Sequence, residues 1–225
     1  MQTIDELIED AILLVEQNFY FLHAGEFFAK LAKEEELSSK AQDIIICKDE
    51  ITSYTIHSQF IKVVLQDAYK NPNLGMFEYF IEFSAIRSIC MAMVEAIRLE
   101  GDFRVFIQNV LGEERFEDFY DILSFIRNVL SHNVHSEIRL SFKDFDGTKR
   151  RIFRQRRCPN IIFTFIYSAD LPSLALLENS YGFSVHADFE KMNEESLFLD
   201  IFSTWELLMI CELCFNFVQV YRVQK

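Results

Sequence analysis

Glycine-rich phosphate loops and a G-x-S-x-G elbow are both missing from this chain of 225 residues, which leaves P-loop phosphoryl transfer and α/β-hydrolase chemistry without their motifs. Charge interrupts every apolar stretch well before the about 18 consecutive residues of a membrane span, so no membrane association is expected. The opening MQTIDELIED is acidic and has neither the basic start nor the short apolar run of a secretory signal, so a cytoplasmic location without export is expected. Five cysteines, Cys47, Cys90, Cys158, Cys211 and Cys214, form an odd, scattered set that fits reduced thiols better than a disulfide framework. Cys211-Glu212-Leu213-Cys214 has no second C-x-x-C to complete a zinc site and falls in an apolar helical stretch, where the sulfurs read as core. His132 and His135 lack an evident third ligand, and neither a metal nor a cofactor is expected. Positive charge is scarce too. A formal net charge of −13 argues against non-specific nucleic-acid binding by the chain as a whole and confines any such site to a local basic patch.

What is present is half apolar by composition, enough for a substantial core. Thr3-Ile4-Asp5-Glu6 has the form of a capping box, and the apolar positions Leu7, Ala11, Leu14, Val15 and Phe19 place one face of a helix over residues 4–36 against the core. Ser38 and Ser39 suit the cap of a second helix reaching Tyr69. The break Asn71-Pro72-Asn73 leads into a third helix, from Leu74 to Glu100, with Gly101 as its stop. A short helix from Asp102 to Gly112 and another from Glu114 to Leu130 follow. Beyond Ser136 the period changes to alternation, and Asp146-Gly147 suits a two-residue hairpin turn with Asp144 facing Lys149 and Leu140 facing Phe153. Asn160–Ser168 and Gly182–Asp188 read as further strands, and Glu194–Val223 as a long closing helix. The expected fold is mainly α, a helical bundle with a small antiparallel β insertion before its last helix. Residues 1–136 form the bundle, 137–192 a β-hairpin-containing insertion and 193–225 the last bundle helix, in one domain overall.

The chemistry concentrates in FIRNVLSHNV, where an apolar helix runs out on Arg127, Asn128 and His132. On an ideal helix Arg127 and His132 point about 140° apart, so His132 is expected beyond the helix end, with His132-Asn133 as the stop. Arg127-Asn128-Val129-Leu130-Ser131-His132 resembles the signature of the HEPN superfamily, an arginine, four to six residues and a histidine, often with a polar residue directly after the arginine. It is the one match to that pattern in the chain. The resemblance covers the chain apart from about Glu137 to Met192, and it implies a HEPN-like helical bundle, a homodimer and, as for many members, a metal-independent endoribonuclease with a toxin or defence role. It also implies RNA as substrate and an antitoxin or nucleotidyltransferase-type protein as partner. Some members carry a tyrosine two residues after the histidine for modification by such a partner; Val134 stands there in this chain, which puts that mode of control in doubt.

RNA cleavage by the neighbouring 2′-hydroxyl needs a proton acceptor, a proton donor and positive charge on the five-coordinate phosphorane. An imidazole with an unperturbed pKa of about 6.5 serves either proton role. The planar fork of Arg127 matches phosphate oxygens, and Asn128 is placed to orient the phosphate or the imidazole. One copy offers one such histidine; a two-fold dimer brings two together. The bland alternative makes Arg127 a helix-end cation and His132 a surface cap. A second candidate is Lys149-Arg150-Arg151-Ile152-Phe153-Arg154-Gln155-Arg156-Arg157, read as a basic strand. Alternation puts Lys149, Arg151 and Arg157 on one face and Arg150, Arg154 and Arg156 on the other, for contact with an RNA backbone or as a charged edge against aggregation. Glu78, Glu82 and Glu95 are candidates to orient the motif, with a solvated face as the alternative; Arg87 is a candidate buried anchor. The many phenylalanines read as core. Two rivals to the nuclease stay open, a non-catalytic interaction module of the same fold and a helical domain binding an apolar ligand.

Overall fold

The computed structural model describes residues 2–32, 40–47, 50, 52–63, 76–99, 101–132, 138–156, 159–171 and 182–225. They divide into two units, Met1–Tyr20 with Ser84–Lys225, and Phe21–Phe83. The fold is mainly helical, with two small antiparallel sheets. Among the described residues, no helix is long and apolar enough to cross a membrane.

The capping box forms as its residues demand: the Glu6 amide donates to Thr3 Oγ1 at 3.2 Å and the Thr3 amide to Glu6 Oε2 at 2.7 Å. The helix it opens, α1 (Ile4–Ala32), buries Ile8, Ala11, Ile12 and Val15. Leu7 and Leu14, expected on that stripe, lie beside it at 37% and 49% exposed. Glu16 is buried where α1 meets the end of the chain, and it accepts from Arg222 Nη1 at 2.6 Å.

In the second unit, within the expected helix over residues 38–69, residues 44–47 and 53–56 are strands instead, and residues 38–39, 48–49, 51 and 64–69 lie outside the described residues. β1 (Ile44–Cys47) pairs antiparallel with β2 (Ser53–Ile56), Ile44 opposite Ile56 and Cys47 opposite Ser53. The β-branched run Ile44-Ile45-Ile46 is stiff at χ1 and suits a pleated strand better than a helix. Of that stretch, the described residues 58–63 are helical.

The first unit builds around one central helix. α2 (Met76–Arg98) corresponds to the expected third helix. Gly101 is the N-cap of α3 (Asp102–Leu111) rather than the stop of α2, and Gly112 ends α3 at φ 74°, a conformation glycine adopts without cost. α4 (Glu113–His132) then runs through the core, with Phe116, Phe119, Ile122, Phe125, Ile126 and Val129 all buried. The ring of Phe119 packs against Phe163 at 5.5 Å and Phe217 at 5.6 Å, and that of Phe125 against Phe189 at 5.2 Å. Each such burial stabilises by about 1.5 to 3 kcal/mol.

The expected hairpin at Asp146-Gly147 does not form. Residues on both sides of it belong to a helix, α5 (Phe142–Arg156), in which Asp144, Phe145, Thr148 and Ile152 are buried. Those positions repeat with helical period, and Ser141-Phe142-Lys143-Asp144 is a helix-start sequence that outweighs the apparent alternation. Ahead of α5, Arg139 bridges antiparallel to Leu197. The small antiparallel sheet before the last helix is β3 (Asn160–Ile166) with β4 (Gly182–Asp188), in register with Phe163 opposite Val185 and Phe165 opposite Phe183. Its alternation is clean: Ile161, Phe163, Phe165, Phe183, Val185 and Ala187 face the core. β3 stops at Ile166, two residues before the expected end, where α6 (Tyr167–Asp170) begins. The closing helix starts later than Glu194. A short α7 (Phe198–Ile201) precedes it, and Ser203 with Glu206 forms a capping box for α8 (Thr204–Gln224).

Gly147 sits on the exposed side of α5 with open space where a Cβ would be, and its φ is not positive. Gly147→Ala should therefore stabilise the protein by about 0.5 to 1 kcal/mol in chemical denaturation, since alanine is the better helix former. A hairpin turn needing positive φ at this position would instead make alanine destabilising.

Candidate functional site

Ser141 and Asp144 explain how the end of α4 is held. The Ser141 amide donates to Asp144 Oδ2 at 2.7 Å, the half of a capping box in which the acidic side chain reaches back to the N-cap. The other oxygen, Asp144 Oδ1, lies 3.0 Å from His132 Nδ1. Asp144 is fully buried while the His132 side chain is 50% exposed. A carboxylate only accepts, so toward an ionised Asp144 it is Nδ1 that donates, and in a neutral ring with that hydrogen Nε2 keeps its lone pair. His132 is the last residue of α4, not part of an exit loop as expected from the sequence. Asn133, Val134 and His135 lie outside the described residues.

Arg127 is held from a different side. Its Nε and Nη2 both donate to Asn128 Oδ1, at 3.2 and 2.9 Å, and its Nη1 is 3.9 Å from Glu95 Oε1 on α2. Burial, reinforced by the nearby Arg98 charge, holds the guanidinium below the usual arginine pKa; arginine remains cationic at neutral pH regardless. Arg127 and His132 make no bond to each other among these contacts. Asn128 stands between them, because positions 128 and 132 are neighbours on one flank of the helix and the fork of Arg127 turns onto that same Asn128.

Two further arginines join the cluster. Arg98 Nε donates to the Tyr120 hydroxyl at 3.1 Å and Arg98 Nη1 meets Glu95 Oε1 at 3.0 Å. Arg151, from α5, places its guanidinium 4.5 Å over the Tyr120 ring and pairs with the fully buried Asp121. Burial pushes the Arg151 pKa down. The result is one polar chain crossing α2, α4 and α5, with Arg98, Arg127 and Arg151 grouped about Tyr120.

The basic segment is thus helical, not a strand, and its two predicted faces dissolve. Arg151 turns inward to Asp121. Lys149 Nζ reaches the Glu190 carbonyl oxygen at 3.4 Å, and Arg150 pairs with Asp146 one turn earlier. Arg150 and Arg154 are exposed four residues apart on one flank. Arg156 ends α5, its side chain undescribed, and Arg157 lies outside the described residues. Of the candidate orienting glutamates, Glu95 is the one that reaches Arg127; the Glu78 side chain is not described and Glu82 belongs to the other unit. Arg87 is exposed, not a buried anchor. Cys211 and Cys214 are buried inside α8, where a hydrogen bond with Cys90 and burial push the Cys211 thiol well up and burial does the same for Cys214; these are inert core thiols. Among the described residues, no group of three or more ligating side chains is placed to hold a metal ion.

Sequence reading missed Asp144, Arg98, Tyr120 and Asp121. The signal for Asp144 was present, since Ser141-x-x-Asp144 is itself a capping pattern. Comparison with known protein families, curated proteins and solved structures finds no match to this chain.

Asp144→Ala removes the acceptor of both the Ser141 amide and His132. It should cost about 1 to 3 kcal/mol in urea unfolding, whereas His132→Ala, at a half-exposed partner, should cost less than about 1 kcal/mol. Equal and small losses from both would show that the buried carboxylate does not organise the α4–α5 corner.

Proposed function

We propose that the chain is a HEPN-like, metal-independent endoribonuclease, with His132 as proton acceptor and Arg127 as stabiliser of the phosphorane. The observation that carries the reading is the His132–Asp144 pair. A buried carboxylate that fixes the hydrogen on Nδ1 aims a basic Nε2 outward, the arrangement that general-base catalysis asks of an imidazole. In the reaction, Nε2 takes the proton of a ribose 2′-hydroxyl, the 2′-oxygen attacks the adjacent phosphorus, and the 5′-oxygen leaves with a proton to give a 2′,3′-cyclic phosphate. Arg127 meets the charge that develops on the non-bridging oxygens, its fork steadied by Asn128. A two-fold partner supplies the second imidazole, as proton donor to the leaving oxygen. Arg150 and Arg154 lie about 9 and 15 Å along α5 from Asp144 at 1.5 Å per residue, a spacing suited to backbone phosphates flanking the cut. Glu95 favours a second reading, a non-catalytic module of the same fold, because a carboxylate already stands opposite Arg127.

Purified protein incubated with RNA in EDTA separates the two. The nuclease reading expects cleavage that falls about 10²-fold or more in His132→Ala and in Arg127→Ala, with melting temperatures close to wild type for His132→Ala. Undiminished cleavage by His132→Ala rejects the site, and no cleavage by the wild-type protein leaves the binding module.

A further inference from the structure

Glu95 sits where two guanidiniums converge. Its Oε1 receives Arg98 Nη1 at 3.0 Å and lies 3.9 Å from Arg127 Nη1. An anionic oxygen therefore already occupies the point between the two cations. The three side chains differ in how firmly they are held. Arg98 is fixed by its Nε donation to Tyr120 at 3.1 Å, and Arg127 by two bonds to Asn128 and by burial, its side chain 21% exposed. Glu95 is 58% exposed, and an ion pair so open to water is worth only about 0 to 1 kcal/mol. Arg127 is thus the firmly held side, Arg98 is itself 48% exposed but keeps its tie to Tyr120 when Glu95 leaves, and Glu95 has the weakest hold of the three.

We infer that Arg98 and Arg127 form a clamp for a backbone phosphate of the nucleic-acid substrate, and that the Glu95 side chain is a built-in occupant which that phosphate displaces. The choice of ligand rests on the ribonuclease reading. Phosphate is the better guest because its oxygens take parallel bonds from two planar forks, where the exposed carboxylate engages Arg98 closely and Arg127 only at longer range. The Tyr120 hydroxyl adds a donor at the same place, since it accepts from Arg98 and keeps its own hydrogen. Arg151, stacked over the Tyr120 ring at 4.5 Å and paired with the fully buried Asp121, backs the ring from α5. Arg98 thereby becomes a second phosphate-binding residue, contributed by α2 and absent from the arginine-to-histidine motif. Glu95 lowers the affinity of the clamp for any anion by the small worth of its own ion pair.

Binding without cleavage tests this. A fluorescein-labelled single-stranded RNA carrying 2′-O-methyl groups on every ribose lacks the attacking hydroxyl, so its affinity is read by anisotropy whether or not the protein is a nuclease. Glu95→Gln should tighten binding about three- to fivefold, the scale of releasing one exposed ion pair, beyond any gain from Glu114→Gln, an exposed glutamate near the start of α4 that loses the same charge. Arg98→Ala should weaken binding about tenfold and reduce the Glu95→Gln gain to the level of the Glu114→Gln control, with melting curves confirming folded variants. The clamp is overturned if Glu95→Gln gains no more than the control, or if its full gain survives in the Arg98→Ala background. Expected binding with no cutting of ordinary RNA keeps the clamp and removes the nuclease; cutting without any Glu95 effect does the reverse.

Discussion

A single buried carboxylate organises the corner on which the candidate site depends. Removing an ionised group from water is costly unless its lone pairs are satisfied, and Asp144 is satisfied by two groups that must then stay together: the Ser141 amide ahead of α5 and the His132 imidazole at the end of α4. That requirement fixes the direction in which α5 departs. Running back along α4, α5 brings Arg151 to Asp121, eleven residues before His132 and so on the same side of α4. The two ties are of one kind, a fully buried aspartate with a partly exposed base. Between them the apolar residues Phe145 and Ile152 bury against the core, and this burial offsets the cost of the desolvated charges.

Electrostatics and function meet in how few cations are grouped in an acidic protein. In a chain with net charge −13, Arg98, Arg127 and Arg151 gather around Tyr120 with Glu95 and Asp121 among them, so under the proposed reading the group positions a polyanion rather than attracting it from afar. Each arginine is also spoken for by a carboxylate or an amide. Under the proposed reading, that internal pairing is what keeps the forks oriented, and the weakest of the pairs, with Glu95, is the one a phosphate replaces.

Local patterns in the sequence carried further than distant ones. The Thr3 capping box, the stop at Gly112 and the alternation of β3 and β4 were all legible, because each is decided by residues within a turn or a strand of one another. The hairpin expected at Asp146-Gly147 failed where two local signals competed. A strong turn dipeptide was set against the Ser141-x-x-Asp144 start and the Phe145, Thr148, Ile152 stripe, and tertiary burial of that stripe decided for the helix. Within the helix expected over residues 38–69, strands stand at residues 44–47 and 53–56, because the β-branched run Ile44-Ile45-Ile46 favours a pleated backbone. At the candidate site, Arg127, Asn128 and His132 were marked by their resemblance to the arginine-to-histidine signature at the end of an amphipathic helix. Their partners were not. Asp144 is twelve residues from His132 and Glu95 is thirty-two from Arg127, distances over which only the packed helices determine who meets whom.

The tautomer of His132 tests the central claim most directly. Long-range ¹H–¹⁵N correlation of the imidazole, above the pH at which the ring is neutral, distinguishes a hydrogen on Nδ1 from one on Nε2. With Asp144 as its buried acceptor, His132 should hold the hydrogen on Nδ1, and Asp144→Ala should return it to the mixture of a free histidine. A hydrogen on Nε2 in the wild-type protein, or a ring indifferent to Asp144, would contradict the account at its root.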